Sequence, residues 1–414
     1  MKTKIFTLKA LFCIIALFTI LFTILFTTGC WDYTEIESRG YVLGIAIDKA
    51  DPAPGKDDYL SKRDIDLIKL MEGRQKYAYT IQIPIIPRGL IKPYGAGAGG
   101  GEATQKRTWD LTVFGHSFFE ANRQFSTKLD YPPFYEHLKV IIISEEVARE
   151  GITESLDVML RDHEMRRRTR LFVTPESAKK ALEVVPNIED YSSLYLEKLP
   201  LNVFKVNRMP HLTDLGELSQ NIHSNVDFGL PWIIATDTEI KIVGTAIFKQ
   251  EKMVGLLGEL DTFYGKWVRD AIEGGVLLIE SPMAQNELVA LQINTGKTKV
   301  RPEIKNDKIT MNIKGKTTMT VVEVTNIIQN YAFENESLEV FEKKAKEKLE
   351  NGIIETVEYV QEEYGADVFH FNVALQRYAP SAWDKIEDQW YDIFPEVKLS
   401  VDFDVKILDT GLVK

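Results

Sequence analysis

The alternation of hydrophobic and polar residues predicts several β-strands in the first half of the chain. Residues 40–49 (GYVLGIAIDK) and 77–86 (YAYTIQIPII) are rich in β-branched and aliphatic side chains, which is typical of buried strands. Pro84 cannot donate a hydrogen bond to a neighbouring strand, so we expect an edge position or a bulge there. The unbroken Val-Ile-Ile-Ile run within 137–146 predicts a strand buried on both faces, and a further strand is expected near 168–174.

Helical spacing of apolar residues predicts helices between these strands. Residues 108–127 place Leu111, Phe114, Phe118, Ala121 and Phe125 at such spacing, with Thr108 as the expected N-cap. Further helices are expected from about Val147 through Arg161 and over 175–185, where Pro175 opens the first turn, and residues 191–224 look mostly helical. The first part of the chain is therefore expected to be a mixed sheet with helices packed on it.

The second half predicts another set of strands and one long helix. Strand signals within 230–257 and 274–324 flank a helix over 260–272, and Asn294-Thr295-Gly296 and Asn306-Asp307 are hairpin signals. The long helix is expected over 337–364, where one apolar stripe is more typical of core packing than of a partner-binding face. Ser337 is its expected N-terminal cap and Gly365 its C-terminal cap. Alternation over 397–407 predicts a half-buried antiparallel strand.

These patterns together predict an α+β protein of several domains, with mixed or antiparallel sheets that are each packed with helices. We expect an N-terminal α/β domain over 30–190, a small middle domain over 191–258 and a C-terminal α+β domain over 259–414. Residues 1–29 are expected to be a lipoprotein signal peptide.

The N-terminus carries the clearest chemical signal in the sequence. Three lysines precede an uncharged apolar stretch from Ala10 to Phe26, and the small residues Thr27, Thr28 and Gly29 come directly before Cys30. This layout is that of a bacterial lipoprotein signal, in which the cysteine thiol receives a diacylglyceryl group. The usual lipobox has leucine three places before the cysteine, where this chain has Thr27. An uncleaved signal anchor or an ordinary cleaved secreted protein are the alternatives.

Charge and cysteine usage agree with a lipid anchor. The formal net charge is −11, and removal of the signal would take away three more lysines, so general attraction to anionic lipid or nucleic acid is not expected. Membrane attachment would then depend on acyl chains. Of the two cysteines, Cys13 lies within the signal, which leaves Cys30 without a disulfide partner.

No catalytic or metal-binding signature is present in the sequence. None of the six histidines lies at metal-ligand spacing, and no nucleophile elbow or free thiol follows Cys30, so we expect no enzyme activity, metal or cofactor. The glycine-rich tract 94–105 lacks the Gly-Lys-Ser/Thr ending of a phosphate loop, which favours a solvated hairpin tip.

One basic cluster stands out against the acidic background. It consists of Arg161, Arg166, Arg167, Arg168 and Arg170, of which Arg161, Arg166, Arg167 and Arg168 are the possible partner surface. These arginines either pair with local acids such as Asp157, Asp162 and Glu164, or form a docking surface for a partner or for lipid headgroups. A nucleic-acid site is not expected, because the protein is predicted to be exported and no aromatic residues are interleaved.

Several stretches resemble the Ger(x)C family, the lipoprotein C subunits of GerA-type nutrient germinant receptors in spore-forming bacteria. The similar segments are 29–49, 137–152, 156–174 and 364–411. The most specific parts are the Cys-Trp-Asp opening at 30–32 and the final segment with Gly365, Trp383, Trp390, Phe394 and Pro395.

The resemblance implies a lipid-anchored, multi-domain protein on the outer face of the spore inner membrane. Such a subunit acts beside two integral membrane subunits, A and B, in a complex that triggers germination when nutrients bind. It also implies neither enzymatic activity nor a cofactor. The alternatives are a solute-binding lipoprotein of a nutrient uptake system and an exported hydrolase.

Overall fold

A computed structural model describes residues 11–12, 14–20, 22–23, 39–50, 76–85, 107–281, 287–306, 308–324 and 335–409. The chain divides into two units, Met1–Gly40 and Tyr41–Lys414. In the first unit the described residues between 11 and 23 are helical. Across the described ranges, no helix combines the length and the apolar character needed to cross a membrane. Cys30, the residues 27–29 expected to be part of a lipobox, and the glycine-rich tract 94–105 lie outside the described residues.

The second unit contains, within the described residues, a mixed sheet of eight strands, here called the large sheet. The strands of this part of the chain are β1 (Gly40–Tyr41), β2 (Gly44–Lys49), β3 (Tyr77–Pro84), β4 (Thr108–Gly115), β5 (Pro133–Phe134), β6 (Val140–Ser144), β7 (Arg170–Thr174), β8 (Phe228–Ala235), β9 (Ile240–Lys249) and β10 (Lys252–Leu257). The order in the large sheet is β10-β9-β8-β7-β6-β2-β3-β4. Its centre, from β2 through β6 and β7 to β8, is parallel, and antiparallel strands complete both sides.

Helices cover both faces of the large sheet. They are α1 (Phe118–Phe125), α2 (Glu145–Glu150), α3 (Thr153–Arg161), α4 (Ala178–Glu183), α5 (Ser192–Lys198), continued by a 3₁₀ turn (Leu199–Phe204), and α6 (Leu215–His223). Ile141 and Ile143 face the core that contains α1, α2, α3 and α6, whereas Val140 and Ile142 face the core that contains α4 and α5. The expected two-sided burial of this strand is confirmed, because parallel strands need cover on both faces.

The region predicted as one helix over 108–127 is a strand followed by a helix. Residues 108–115 form β4, which pairs with β3 along its whole length, and α1 begins only after Ser117. The Ser117 hydroxyl accepts a hydrogen bond from the Glu120 amide at 3.3 Å, so Ser117 is the cap rather than Thr108. The helical spacing correctly predicted only Phe118, Ala121 and Phe125. The residues before them form a strand instead, because they supply the hydrogen-bonding partner for the second edge of β3.

Two smaller expectations in this half are also wrong. β3 lies between β2 and β4, so it is not an edge strand; Pro84 is its last residue. The helix expected over 147–161 is broken into α2 and α3 at Gly151, whose φ of 127° only glycine adopts readily.

Besides the large sheet, β1 and β5 form a two-stranded sheet, and a further sheet, here called the small sheet, consists of four strands within the described residues. They are β11 (Val276–Glu280), β12 (Leu288–Lys305), β13 (Lys308–Val324) and β14 (Lys398–Asp409), in that order across the sheet. The predicted hairpin at 294–296 is wrong, because β12 runs through it with a bulge between Ile293 and Thr295. Trp267 packs against Gly296, where a Cβ would lie 2.7 Å from the indole ring. The glycine therefore serves close packing rather than a turn.

The last strand pairs in the opposite sense to that predicted. β14 lies parallel to β13, because the chain between them crosses back over the sheet through a set of helices. The alternation itself is confirmed, with Phe403, Val405 and Ile407 buried.

The helices of this half are α7 (Glu259–Val268), α8 (Asn335–Glu363), α9 (Phe371–Tyr378), α10 (Pro380–Ile386) and α11 (Trp390–Ile393), with 3₁₀ turns at Glu387–Gln389 and Phe394–Glu396. The predicted stripe of α8 is confirmed as core: Phe341, Ala345, Leu349, Ile353, Val357 and Val360 are buried. The helix begins two residues before Ser337. Gly365 closes it with φ 53° and a 2.9 Å hydrogen bond from its N–H to the Val360 carbonyl, as expected.

The observed architecture confirms an α+β protein in which mixed sheets are packed with helices. Strands β8, β9 and β10, from the segment expected as a small middle domain, lie in the same sheet as the strands of the segment expected as the N-terminal domain. The three domain boundaries stay a prediction.

Candidate functional site

The connection between the large sheet and the C-terminal helices is built around a buried carboxylate, Asp367. This residue lies between α8 and α9. One carboxylate oxygen accepts from the Phe371 amide at 3.0 Å, and the other accepts from the Asn372 amide at 2.7 Å and from Trp390 Nε1 at 3.1 Å. The two amides are among the first N–H groups of α9, which have no partner inside the helix. Asp367 thus fixes the start of α9 to α11.

A second buried carboxylate, Asp227, continues this network into the large sheet. Asp227 directly precedes β8, and its Oδ1 accepts from the Gln250 amide at 2.8 Å and from the Tyr391 hydroxyl at 2.9 Å. Its Oδ2 accepts from the Asp367 amide at 2.8 Å. One side chain therefore joins the β9–β10 turn of the large sheet to the segment after α8 and to α11. We call Asp227, Asp367 and their partners the junction.

Burial shifts the acid–base properties of the junction. It raises the pKa of Asp367 to about 7, against the hydrogen bonds from Asn372 and Phe371 that lower it, while the nearby charge of Asp227 adds to the increase. Burial also raises the pKa of Asp227, opposed by its hydrogen bonds from Gln250 and Tyr391. Burial of the two carboxyl groups costs desolvation free energy, which their hydrogen bonds offset in part.

A histidine beside the junction is held neutral. Arg269 Nη1 donates to the Val368 carbonyl at 3.0 Å and lies 2.8 Å from His370 Nε2, so this ring nitrogen is the acceptor. Burial, and then the positive charge of Arg269, lower the pKa of His370 to about 3. His370 has φ 61°, and α9 begins directly after it. No group of three His, Cys, Asp or Glu side chains in the described part of the chain could hold a metal ion.

The four arginines of the predicted partner surface are exposed where α3 ends and the chain leads into β7. Arg161 pairs with Asp157 at 2.9 Å, one helical turn away, as expected. Arg166 instead lies 3.6 Å from Glu136, because Asp162 and Glu164 accept hydrogen bonds from backbone amides. Arg167 contributes its carbonyl to the Gly216 amide and leaves its side chain exposed. Their role as a docking surface stays a prediction.

The residue pattern alone did not single out Asp227 and Asp367. Each is one aspartate among 61 acidic residues, and neither has a spacing that indicates a buried role. The available signal was indirect: Asp367 and Trp390 both lie in the C-terminal segment 364–411, which carried the resemblance.

Comparison with known proteins places this architecture in one class. A model for the spore germination protein N-terminal domain matches residues 32–235, and a model for the C-terminal domain of spore germination B3/GerAC-like proteins matches residues 243–411. The crystal structure of the GerBC protein has the same fold, with a TM-score of 0.56 at 22% identity over 80% of this chain and 94% of that chain. The fold is therefore that of the GerAC-like spore germination proteins.

Individual relatives match over nearly the full length. Spore germination protein YndF of Bacillus subtilis (strain 168) is 28% identical over 395 residues, which are 94% of this chain and 94% of that protein. Spore germination protein B3 of the same organism is 25% identical over 398 residues, or 95% and 96% of the two chains. The chain belongs to the Ger(x)C family of spore germination proteins.

Proposed function

We propose that this protein is the lipid-anchored C subunit of a spore germinant receptor. In this proposal it sits on the outer face of the spore inner membrane, contacts the integral membrane A and B subunits, and is required for nutrient-triggered germination without catalysing a reaction. The observation that carries the proposal is the match of both family domains, over 32–235 and 243–411, in a single chain.

The junction gives this proposal a physical basis. A subunit that works through contacts with partners must hold its surfaces in one relative geometry. The buried hydrogen bonds of Asp227 and Asp367 connect the large sheet to the C-terminal helices and provide that rigidity. The exposed guanidinium groups of Arg166, Arg167 and Arg168 would then face an acidic segment of a partner.

A solute-binding lipoprotein is less well supported. Such proteins usually have two lobes of similar size and topology, whereas the described strands form sheets of eight, four and two strands.

The anchor is tested by mass spectrometry of the mature N-terminus. We expect a chain that starts at Cys30 with the mass of a diacylglyceryl group, and we expect Cys30→Ala to lose both the lipid and the cleavage. Cys13→Ala is the matched control, because this cysteine lies inside the signal and its replacement leaves lipidation intact. An unmodified Cys30, or a mature chain that keeps Met1, would refute the anchor.

The complex is tested by affinity purification of the full chain from detergent-solubilised spore membranes. We expect two polytopic membrane proteins to copurify with it. Replacing Arg166, Arg167 and Arg168 with glutamine should weaken this association, whereas the same change at three exposed lysines of α8, Lys343, Lys344 and Lys348, should not. Recovery of the wild-type chain without any polytopic protein contradicts the proposal, and equal recovery with both triple variants contradicts the role of the arginines.

A further inference from the structure

One face of the small sheet carries a cluster of exposed lysines. Side chains alternate between the two faces of a sheet, and the inner face of this one holds buried residues such as Ile313 and Phe403, which pack in the same core as α7 and α8. The opposite, outer face of β12 and β13 holds four exposed lysines, here called the lysine face: Lys297, Lys299, Lys314 and Lys316.

The strand register brings these lysines together as like-charged pairs. Lys297 lies directly opposite Lys316, and Lys299 lies directly opposite Lys314. Neighbouring strands are about 4.8 Å apart, and like charges directly opposite each other destabilise a sheet. Lys297 and Lys316 keep 81% and 82% of their side chains exposed, so their ammonium groups extend into water. The stability of the sheet therefore does not account for this arrangement.

Acidic side chains near the first pair neutralise it only weakly. Lys297 Nζ lies 3.8 Å from Asp270, and Lys316 Nζ lies 3.6 Å from Asp404 of β14. Ion pairs between exposed side chains are weak, so an anion outside the protein competes readily for these two lysines.

The second pair is less compensated still. Neither Lys299 nor Lys314 takes part in any of the ion pairs found among the described residues. Asp402 lies beside Lys314 in the register of β13 and β14, but it pairs at 2.7 Å with a further cation, Lys346 of α8. The two central lysines of the face are therefore available to an external anion.

The hairpin of β12 and β13 is basic although the protein is acidic. Residues 288–324 contain seven Lys or Arg and three Asp or Glu, whereas the whole chain has a formal net charge of −11. At physiological ionic strength, charges on exposed groups more than about 8 Å apart are largely screened from each other. The local excess of lysine therefore decides which partner this face attracts, and that partner is anionic.

We propose that the lysine face binds the anionic phospholipid headgroups of a bilayer. This inference deepens the proposed function and rests on it, because the Cys30 anchor would hold the chain at a membrane. Lysine is a hydrated point charge that attracts phosphate without a fixed geometry, and clusters of four or more basic residues are typical of anionic-lipid binding. Protein interfaces are instead depleted in lysine and enriched in arginine and aromatic residues. Four lysines on an open sheet face therefore favour a lipid surface over an acidic protein.

The first test follows lysine acetylation by mass spectrometry in the full chain bound to vesicles. One set of vesicles is phosphatidylcholine alone, and in the other set about a third of the lipid is phosphatidylglycerol. We expect Lys299 and Lys314 to react at least about threefold more slowly in the anionic vesicles, and this protection to shrink at high salt. Lys343 and Lys348 are the matched controls, because they are exposed lysines of α8, which packs on the inner face. They should react equally in both sets.

Equal acetylation of Lys299 and Lys314 in the two sets of vesicles overturns the proposal. Protection that occurs only in spore membranes containing the A and B subunits also overturns it, since the partner would then be an acidic protein surface. Sedimentation with the neutral vesicles reports the anchor separately. A chain that sediments only with anionic vesicles refutes the anchor and supports the lysine face, and a chain that sediments with neither refutes both.

The second test removes charge from the face. In the double variant Lys299→Gln with Lys314→Gln, the protection of the two remaining lysines of the face in anionic vesicles should fall to less than about half, because each lysine adds to the attraction. The double variant Lys343→Gln with Lys348→Gln is the control and should keep that protection. All four positions are exposed, so both variants should fold. Full protection in the first double variant contradicts the role of these cations.

Discussion

Replacing Asp227 with asparagine tests the junction most directly, because the side chain keeps its shape and loses one acceptor. Asp227 accepts from the amides of Gln250 and Asp367 and from the Tyr391 hydroxyl. An asparagine oxygen at the Oδ1 position keeps Gln250 and Tyr391 but turns an NH₂ group toward the Asp367 amide. The opposite orientation turns the NH₂ group toward both other donors. Either way at least one buried donor has no acceptor.

The expected cost of Asp227→Asn is about 2–3 kcal/mol in the free energy of unfolding. A buried donor without a partner costs about 1–3 kcal/mol, and a lost hydrogen bond to a charged group about 1.5–3 kcal/mol; the two figures overlap because they describe one contact. Relief of the buried charge returns part of this cost, since burial raises the pKa of Asp227 in the wild type. Tyr391→Phe should cost only about 1 kcal/mol. It removes one donor, leaves Asp227 with its two amides, and preserves the ring that lies 4.4 Å from Lys249 Nζ.

Urea unfolding of the three proteins gives these differences, and hydrogen exchange of the backbone amides locates them. In Asp227→Asn the Asp367 amide should exchange much faster than in the wild type, while the amides of β6 in the centre of the large sheet keep their protection. The reasoning is refuted if Asp227→Asn unfolds at the wild-type urea concentration and its Asp367 amide stays protected. It is also refuted if Tyr391→Phe costs as much as Asp227→Asn.

Two further predictions concern pH and packing. The first variant is His370→Asn, because asparagine tolerates the positive φ at this position. In the folded wild type the pKa of His370 is lowered to about 3, so the ring stays neutral, whereas the unfolded chain takes up a proton below about pH 6.5. As the pH falls from 6.5 to 4, the free energy of unfolding of His370→Asn should therefore rise relative to that of the wild type by roughly 1.4 kcal/mol per pH unit. Urea unfolding midpoints across this pH range check the sign, and a parallel pair of curves would contradict it. Gly296→Ala should cost about 1–3 kcal/mol, because its Cβ would lie 2.7 Å from Trp267, whereas Gly265→Ala in α7, whose nearest contact is 3.4 Å, should be neutral or stabilising. Thermal unfolding of both variants measures the difference, and equal midpoints would show that Trp267 moves freely.

The pKa of Asp367 is raised by burial whereas that of His370 is lowered, so the two groups change the stability with pH in opposite directions. A carboxyl group whose pKa is about 7 in the folded state binds its proton more tightly there than in the unfolded chain, so its contribution to stability falls as the pH rises from about 4 to 7. In the wild type the two slopes therefore oppose each other between pH 4 and 6.5. His370→Asn should expose the slope of the junction carboxyl groups.

Elements whose burial follows from local periodicity could be predicted from the sequence. The apolar stripe of α8, the continuous apolar run of β6 and the alternation of β14 each show which side chains are buried, because burial on one helix face or one strand face repeats with a fixed period. The same signals do not show what a strand pairs with. β14 lies parallel to β13 because of the helical crossover between them, and β4 is a strand because β3 needs a partner, although its apolar residues also fit a helical spacing.

The sequence by itself therefore determined the α+β class, the core face of the long helix, the resemblance to the Ger(x)C family and the candidate lipidation at Cys30. The tertiary structure alone decided the direction of β14, the close contact of Gly296 with Trp267, and the meeting of Asp227 with Asp367, 140 residues later in the chain. It also placed Lys299 of β12 directly opposite Lys314 of β13. The physical reason is that hydrophobic periodicity is a local property of the chain, whereas hydrogen-bond partners and the desolvation of charges depend on segments that only the folded chain brings together.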